Sequence, residues 1–121
     1  MSWTFDNNLP IYLQIMDRIK LQIISNQLHA GEKLPAVREL AAEAGVNPNT
    51  IQRALSDLEK KGFVYSQRTS GRFVTDNRDL ILQARQKLSE EEVRKFVENM
   101  TRFGYHKDEL PTIIADYIKG V

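Results

Sequence analysis

The chain has 121 residues, of which 41% are hydrophobic and 27% charged, with a formal net charge of +1. This length and composition suit one soluble globular domain, or a small domain with an appendage. The absence of cysteine excludes disulfides and thiolate metal sites, and with only two histidines we expect neither a metal nor a cofactor. No apolar run approaches the ~20 residues that span a bilayer, and the N-terminus lacks the features of a signal peptide. We therefore expect no membrane segment and a cytoplasmic location.

The first part of the sequence predicts an extended arm and then a helix. Residues 3–8 form the arm, in which Trp3 fits either an anchor or a dimer contact. Pro10 is tolerated in a first helical turn, and an apolar face then extends to about Ser25. That face consists of Tyr12, Ile15, Met16, Ile19 and Ile23. Residues 29–33 are expected to form a loop before a second helix that begins near Ala36.

A helix, a tight turn and another helix are predicted next. The first of them has apolar residues at the i, i+3, i+4, i+7 spacing of one face, namely Val37, Leu40, Ala41 and Ala44. Residues 45–46 form the turn, and Asn47 is a favoured N-cap. Pro48 suits the first helical position because its missing N–H costs nothing there. The next helix therefore runs from Pro48 to about Lys61, and Gly62 fits a left-handed stop just beyond it.

This helix has one apolar and one polar face. The apolar residues predicted to be buried are Ile51, Ala54, Leu55 and Leu58. The opposite face carries residues that no core requires: Asn49, Thr50, Gln52, Arg53 and Ser56. A pair of helices that presents hydrogen-bonding side chains near the N-terminus of its second member is what recognition of the DNA major groove requires. The segment predicts a helix-turn-helix that binds double-stranded DNA.

Residues 63–75 predict a β-hairpin that completes a winged helix. Residues 63–67 and 72–75 are β-prone, and the turn lies between them at residues 68–71. Residues 45–75 include five basic and two acidic residues, whereas residues 76–121 include eight basic and nine acidic ones. Positive charge is thus concentrated where DNA contact is expected. A local excess suffices, because affinity depends on the phosphates contacted rather than on total charge.

The remaining residues predict helices with apolar stripes. We favour one helix from about Arg78 to Phe103, because no glycine or proline interrupts it, although residues 89–92 also fit a capping box that would begin a second helix. Gly104 ends this helix, and a last short helix covers residues 110–119. So short a segment cannot bury its stripes alone. We therefore predict a homodimer interface formed by Ile81, Leu88, Phe96, Met100 and Phe103, with help from Ile114 and Ile118.

The predicted fold class is mostly α with a small β-hairpin. A winged helix-turn-helix DNA-binding domain covers residues 1–75, and a helical dimerisation segment covers residues 76–121. The main alternative is a protein-interaction module that uses the winged helix as a scaffold, but the polar, cation-bearing face of the second helix argues against a protein interface. An enzyme is not expected, because the sequence has no nucleophile elbow, phosphate loop or metal-ligand set.

Several motifs occur together, namely Leu9–Ile15, Leu34–Ala41, Gly45–Ile51 with Arg53–Leu55, Leu58-Glu59 with Gly62, and Gly71 with Phe73-Val74. In this order and spacing they resemble the GntR family of bacterial transcription regulators over roughly residues 9–75. The Asn47–Thr50 motif and the short helical C-terminal part are similar to the YtrA-type subfamily. Other branches carry a much larger ligand-sensing domain, which the residues after the wing are too few to form. The resemblance implies a dimeric regulator, usually a repressor, of a palindromic operator.

The resemblance also implies which residues contact DNA. They are Arg38 in the second helix, the wing tip near Arg68 and Gly71, and four residues at the start of the recognition helix: Asn47, Asn49, Thr50 and Gln52. The sequence departs from the family at Pro48, where many relatives have arginine, and at Thr69, which replaces a wing glycine.

Two further arginines are predicted to contact DNA from their positions. Arg53 lies on the polar face of the recognition helix, although it could instead form an ion pair with Asp57 four residues later. Arg72 lies in the wing, at a position that is usually small or hydroxylated in the family, and could instead be a solubilising charge. A small-molecule effector, if one exists, is expected in a crevice between the C-terminal helices and the winged domain.

Overall fold

The computed structural model describes residues 3–120, which form five α-helices, one short 3-10 helix and a two-stranded antiparallel sheet. The first three helices are α1 (Ile11–Ile24), α2 (Val37–Ala44) and α3 (Pro48–Lys60), and the strands are β1 (Val64–Gln67) and β2 (Gly71–Val74). They are followed by α4 (Arg78–Arg102), the 3-10 helix (Lys107–Glu109) and α5 (Leu110–Lys119). No helix within the described range is both long and apolar enough to cross a membrane.

The chain divides into two compact units, and the division falls inside α4 between Ala84 and Arg85. The first unit contains α1, α2, α3 and the hairpin, and the second contains the later part of α4 with α5. The predicted boundary, between residues 75 and 76, lies earlier in the chain. The assignment of DNA binding to one part and dimerisation to the other stays a prediction.

The core of the first unit is built from the apolar stripes of its three helices. The predicted stripe of α3 is confirmed, because Ile51, Ala54, Leu55 and Leu58 are all buried. It packs with buried residues of α1, which are Ile15, Met16, Ile19, Ile23 and Ile24, and with Leu40, Ala41 and Ala44 of α2. Each fully buried leucine or isoleucine contributes roughly 1.5–3 kcal/mol. The hydrophobic spacing thus fixes which side of α3 faces outward.

The start of the recognition helix α3 is confirmed at Pro48. The Asn47 side chain accepts a hydrogen bond from the Asn49 backbone N–H at 2.8 Å, so it is the N-cap. The preceding helix ends at Gly45, which adopts a left-handed φ of +72° and donates its N–H to the Ala41 carbonyl. These two local signals set the tight turn between α2 and α3.

The wing is hydrogen-bonded on both sides of β2. On one side β1 pairs antiparallel with it, placing Ser66 opposite Arg72. On the other side lies the segment before α2, predicted as a plain loop: the Leu34 N–H donates to the Arg72 carbonyl at 2.9 Å, and the Val74 N–H donates to the Glu32 carbonyl at 2.8 Å. Periodicity does not detect so short a pairing. The wing is therefore attached to the entry of α2 as well as to the exit of α3.

The N-terminal arm is anchored by Trp3. Its ring is buried in the core of the first unit, and the Arg18 guanidinium lies 4.4 Å from the ring centroid. The indole Nε1 donates to Glu43 Oε1 of α2 at 3.4 Å. Of the two roles left open by the sequence, the structure supports the anchor.

In the C-terminal part, the preference for one long helix is confirmed, since α4 runs without interruption to Arg102. The chain turns at Gly104, whose φ is +99°, and the predicted last helix is α5. One interface prediction needs correction: Ile81 is buried in the core of the first unit, so its side chain is not available to a second copy. Ile81 does belong to an apolar stripe, but the start of that stripe packs within the first unit.

Candidate nucleic-acid interface

The outward face of α3 presents polar side chains beside the turn that begins the helix. Asn49, Gln52 and Arg53 are exposed, and Thr50 is half-buried. All four lie within the first two turns, on the side opposite the buried stripe. The predicted placement of these side chains at the surface is thus confirmed, while their contact with DNA stays a prediction.

Asn47 combines two properties at the tip of this helix. Its Oδ1 is occupied by the cap hydrogen bond to the Asn49 N–H, and the residue is exposed. An asparagine amide has one acceptor oxygen and two N–H donors. Because capping uses the oxygen, the amide NH₂ is left to donate to an acceptor in solvent or on DNA.

Arg53 is held by an aromatic ring rather than by a carboxylate. Its guanidinium lies 3.7 Å from the centroid of the Tyr12 ring of α1. The alternative ion pair with Asp57 is not among the ion pairs of the described residues. Tyr12, expected in the core, is only half-buried and lines a surface groove with Arg53 and Thr50. Stacking on a ring orients a guanidinium without neutralising its charge.

Arg38 and Arg68 are the most available of the predicted cations. Arg38 is the second residue of α2, Arg68 lies in the turn of the wing, and both are exposed. Neither forms an ion pair with any residue in the described range. Their charges are therefore free to meet phosphate groups.

Gly71 begins β2 with a φ of +104°, a conformation that favours glycine. A Cβ added there would come within 3.4 Å of Lys33 Cε. Gly71 and Lys33 line one groove of about 600 Å³ together with residues at the start of α2. Gly71 therefore shapes the backbone of the wing, and its predicted contact with DNA would be made by main-chain atoms.

Arg72 differs from the other predicted DNA contacts because it points back onto α3. Its side chain is only 19% exposed. Its Nη1 donates to Gln52 Oε1 at 3.4 Å, and its Nε lies 3.5 Å from Glu59 Oε1. That Nε is buried and has no hydrogen-bond partner within residues 3–120, so the contact with Glu59 is electrostatic rather than a well-aligned hydrogen bond.

Two residues beside Arg72 were not predicted from the sequence, namely Glu59 of α3 and Ser66 of β1. Glu59 accepts a hydrogen bond from Ser66 Oγ at 2.7 Å as well as facing Arg72. The hairpin register was the signal that could have indicated this contact, because it places Ser66 directly opposite the unusual Arg72.

Among the described residues, no group of three or more histidine, aspartate or glutamate side chains could hold a metal ion.

A helix-turn-helix whose second helix is polar on its outer face, followed by a hydrogen-bonded wing, defines a winged-helix DNA-binding protein. The family model for "Bacterial regulatory proteins, gntR family" matches residues 11–74. The chain is 38% identical over 120 residues to the uncharacterized HTH-type transcriptional regulator YhcF of Bacillus subtilis, covering 99% of each. It is 29% identical to the HTH-type transcriptional repressor YtrA of the same bacterium, over 75% of this chain and 71% of that protein.

Two solved structures agree with this assignment. A GntR family transcriptional regulator from Listeria monocytogenes superposes with a TM-score of 0.81 at 37% identity, over 97% of this chain and 99% of that one. AraR(DBD) in complex with operator ORX1 gives a TM-score of 0.57 at 29% identity, over 62% of this chain and 95% of that one. The chain belongs to the GntR family and is a DNA-binding transcription regulator. The predicted winged-helix fold and the likeness to YtrA are confirmed.

Proposed function

We propose that this chain is a homodimeric repressor that binds a palindromic operator in the cytoplasm and has no enzymatic activity. The observation that carries the proposal is the exposed polar face of α3, together with the exposed Arg38 of α2 and Arg68 of the wing, neither of which forms an ion pair within the described residues. The repressor activity of the similar YtrA protein supports the direction of regulation. The operator complex of AraR(DBD) supports recognition of duplex DNA by this fold.

The second unit supports assembly with another copy of the chain. Within residues 85–120, Leu110 is the single buried hydrophobic residue. In contrast, Phe103 is 73% exposed, Tyr117 84% and Ile118 76%. A segment with so little core cannot offset its conformational entropy without covering such side chains. A second copy presents the same apolar residues, so one twofold interface would cover both sets.

An apolar groove in this unit is a candidate binding surface for the second copy of the chain. It has a volume of about 480 Å³ and is lined mainly by Val93, Phe96, Val97, Leu110, Pro111 and Ile114. Of the predicted interface residues, Leu88 and Phe103 are exposed, and Phe96 and Met100 are half-buried. These four residues remain in the proposed interface.

A twofold dimer would present two copies of α3 to the DNA. In helix-turn-helix dimers the half-sites lie about one helical turn apart or a multiple of it, roughly 34 Å per turn, so the operator reflects the symmetry of the protein. Each copy contributes its own phosphate contacts. The two sets together supply affinity that falls steeply as the salt concentration rises.

Two experiments test the proposal: selection of bound duplexes from a random pool, and sedimentation equilibrium of the protein alone. We expect selected duplexes to contain an inverted repeat, and the protein to have twice the mass of one chain at micromolar concentration. Fluorescence anisotropy should then show tighter binding to the selected duplex than to a scrambled one. Equal affinity for both, or a protein that remains monomeric, would contradict the proposal.

A further inference from the structure

The Arg72 side chain forms a bridge between the wing and the exposed face of the recognition helix. It starts in β2, crosses to α3, and reaches Gln52 with Nη1 and Glu59 with Nε. Gln52 and Glu59 are seven residues apart, so they lie on the same side of α3, two turns from each other. One guanidinium therefore contacts two turns of the helix at once.

The bridge is fixed at its far end. Ser66, the cross-strand neighbour of Arg72, donates its hydroxyl proton to Glu59 Oε1 at 2.7 Å. The carboxylate is thereby held by β1 while it faces the arginine of β2. Because the Arg72 side chain is mostly buried, its guanidinium cannot swing freely towards solvent.

This arrangement determines how the Gln52 amide is oriented. Arginine has five N–H donors and no acceptor, so only the oxygen of an amide can face it. The contact of Nη1 with Oε1 at 3.4 Å follows that rule. Because its oxygen is turned to Arg72 and the residue is exposed, the Gln52 amide has its NH₂ group left to donate to an acceptor on DNA.

We propose that Arg72 is a positioning residue that acts through Gln52 and makes the protein prefer a base with major-groove acceptors, guanine in the first place, at one operator position. Guanine presents N7 and O6 as acceptors, whereas adenine presents one acceptor and one donor. A freely rotating glutamine would favour adenine, to which it can both donate and accept. The inference rests on the proposed function, since it requires Gln52 to face the major groove.

The inference also changes the role predicted for Arg72 itself. If Arg72 contacted a phosphate, its loss would weaken binding to all duplexes alike and would lower the salt dependence of the binding constant. Loss of a positioning residue instead changes the base preference at a single operator position. The two roles give different measurements on the same variant.

The test compares Arg72→Ala and Gln52→Ala with the double variant by anisotropy, on operators that carry each base pair in turn. We expect Arg72→Ala to lose the guanine preference, a discrimination of about 5- to 100-fold, and to favour adenine at that position instead. Gln52→Ala and the double variant should show no base preference there. The slope of log K against log salt should stay at the wild-type value. Arg72→Lys, which keeps the charge but has no planar fork, should also lose the preference.

Arg68→Ala is the matched control, because it removes an arginine from the same wing without touching Gln52. Arg68→Ala should weaken binding to all duplexes and reduce the slope of log K against log salt by about 0.9. An Arg72→Ala variant that behaves in this way, or that keeps the wild-type base preference, overturns the positioning role. A wild-type protein without any sequence preference contradicts the proposed function instead, so the two failures can be told apart.

A second variant tests the orientation of the amide directly. Gln52→Glu keeps an oxygen facing Arg72 but replaces the outward NH₂ with an acceptor. We expect the preferred base at that position to change from guanine to cytosine, whose N4 amino group is a donor. Retention of guanine by Gln52→Glu, or a preference of the wild-type protein for adenine at that position, would overturn the proposed orientation.

Discussion

Asn47 allows the stability of the recognition helix to be separated from its contact with DNA. Its Oδ1 accepts the Asn49 N–H at 2.8 Å, while its NH₂ group remains available. Asn47→Asp keeps an equally favoured N-cap and places a negative charge at the positive end of the helix dipole. The same change replaces the outward donor with an acceptor and brings a negative charge towards phosphates. We therefore expect unchanged or slightly higher stability together with weaker DNA binding.

The expected magnitudes follow from these contacts. Asn47→Ala should lose the cap and about 1 kcal/mol, which lowers Tm by roughly 4–8 °C in a domain of this size. Asn47→Asp should show no such decrease in thermal unfolding followed by circular dichroism. Loss of the donor should weaken operator binding of both variants about 10- to 100-fold, measured by anisotropy. If Asn47→Asp bound DNA like the wild type, Asn47 would not face the groove. If Asn47→Asp unfolded at as low a temperature as Asn47→Ala, the cap would not be the source of stability.

Three further predictions concern other parts of the molecule. Phe103→Asp should shift sedimentation towards the monomer and weaken operator binding without lowering the Tm of the first unit, because it places a charge on an exposed apolar surface. Tyr12→Leu should weaken DNA binding about 2- to 5-fold by releasing Arg53, whereas Tyr12→Phe keeps the ring and should bind normally. The Arg94 hydrogen bond lowers the pKa of Glu91, so Arg94→Gln should raise that pKa in an NMR titration. The associated stability is present above the unfolded-state pKa of about 4.3 and is lost as pH falls through the lower folded-state value.

Much of the fold could be predicted because local signals agreed with one another. The N-cap at Asn47, the proline after it and the turn glycine Gly45 each mark a helix boundary through backbone chemistry alone. The apolar spacing in α3 identified its buried side and therefore its outward residues. Helix α4 was predictable as one helix because nothing in its sequence interrupts it.

The remaining features depend on contacts between residues distant in sequence. The stacking of Arg53 on Tyr12 joins α3 to α1, so the nearer Asp57 was the only partner that spacing could suggest. Arg72 looked like an exposed wing cation because nothing in a sequence states which way a strand side chain leans. Ile81 belonged to an apolar stripe, but periodicity does not say which neighbour covers each turn of a long helix.

The burial of Trp3 gives this regulator an internal optical reporter. Trp3 is the chain's one tryptophan, and its ring packs in the core of the first unit against Arg18 and beside Glu43. Its emission spectrum should shift to longer wavelength when that unit unfolds and stay constant when two chains merely separate. Far-ultraviolet ellipticity, in contrast, includes the helices of both units. Recording the two signals on one sample during dilution and denaturation would distinguish dissociation from unfolding without any added label.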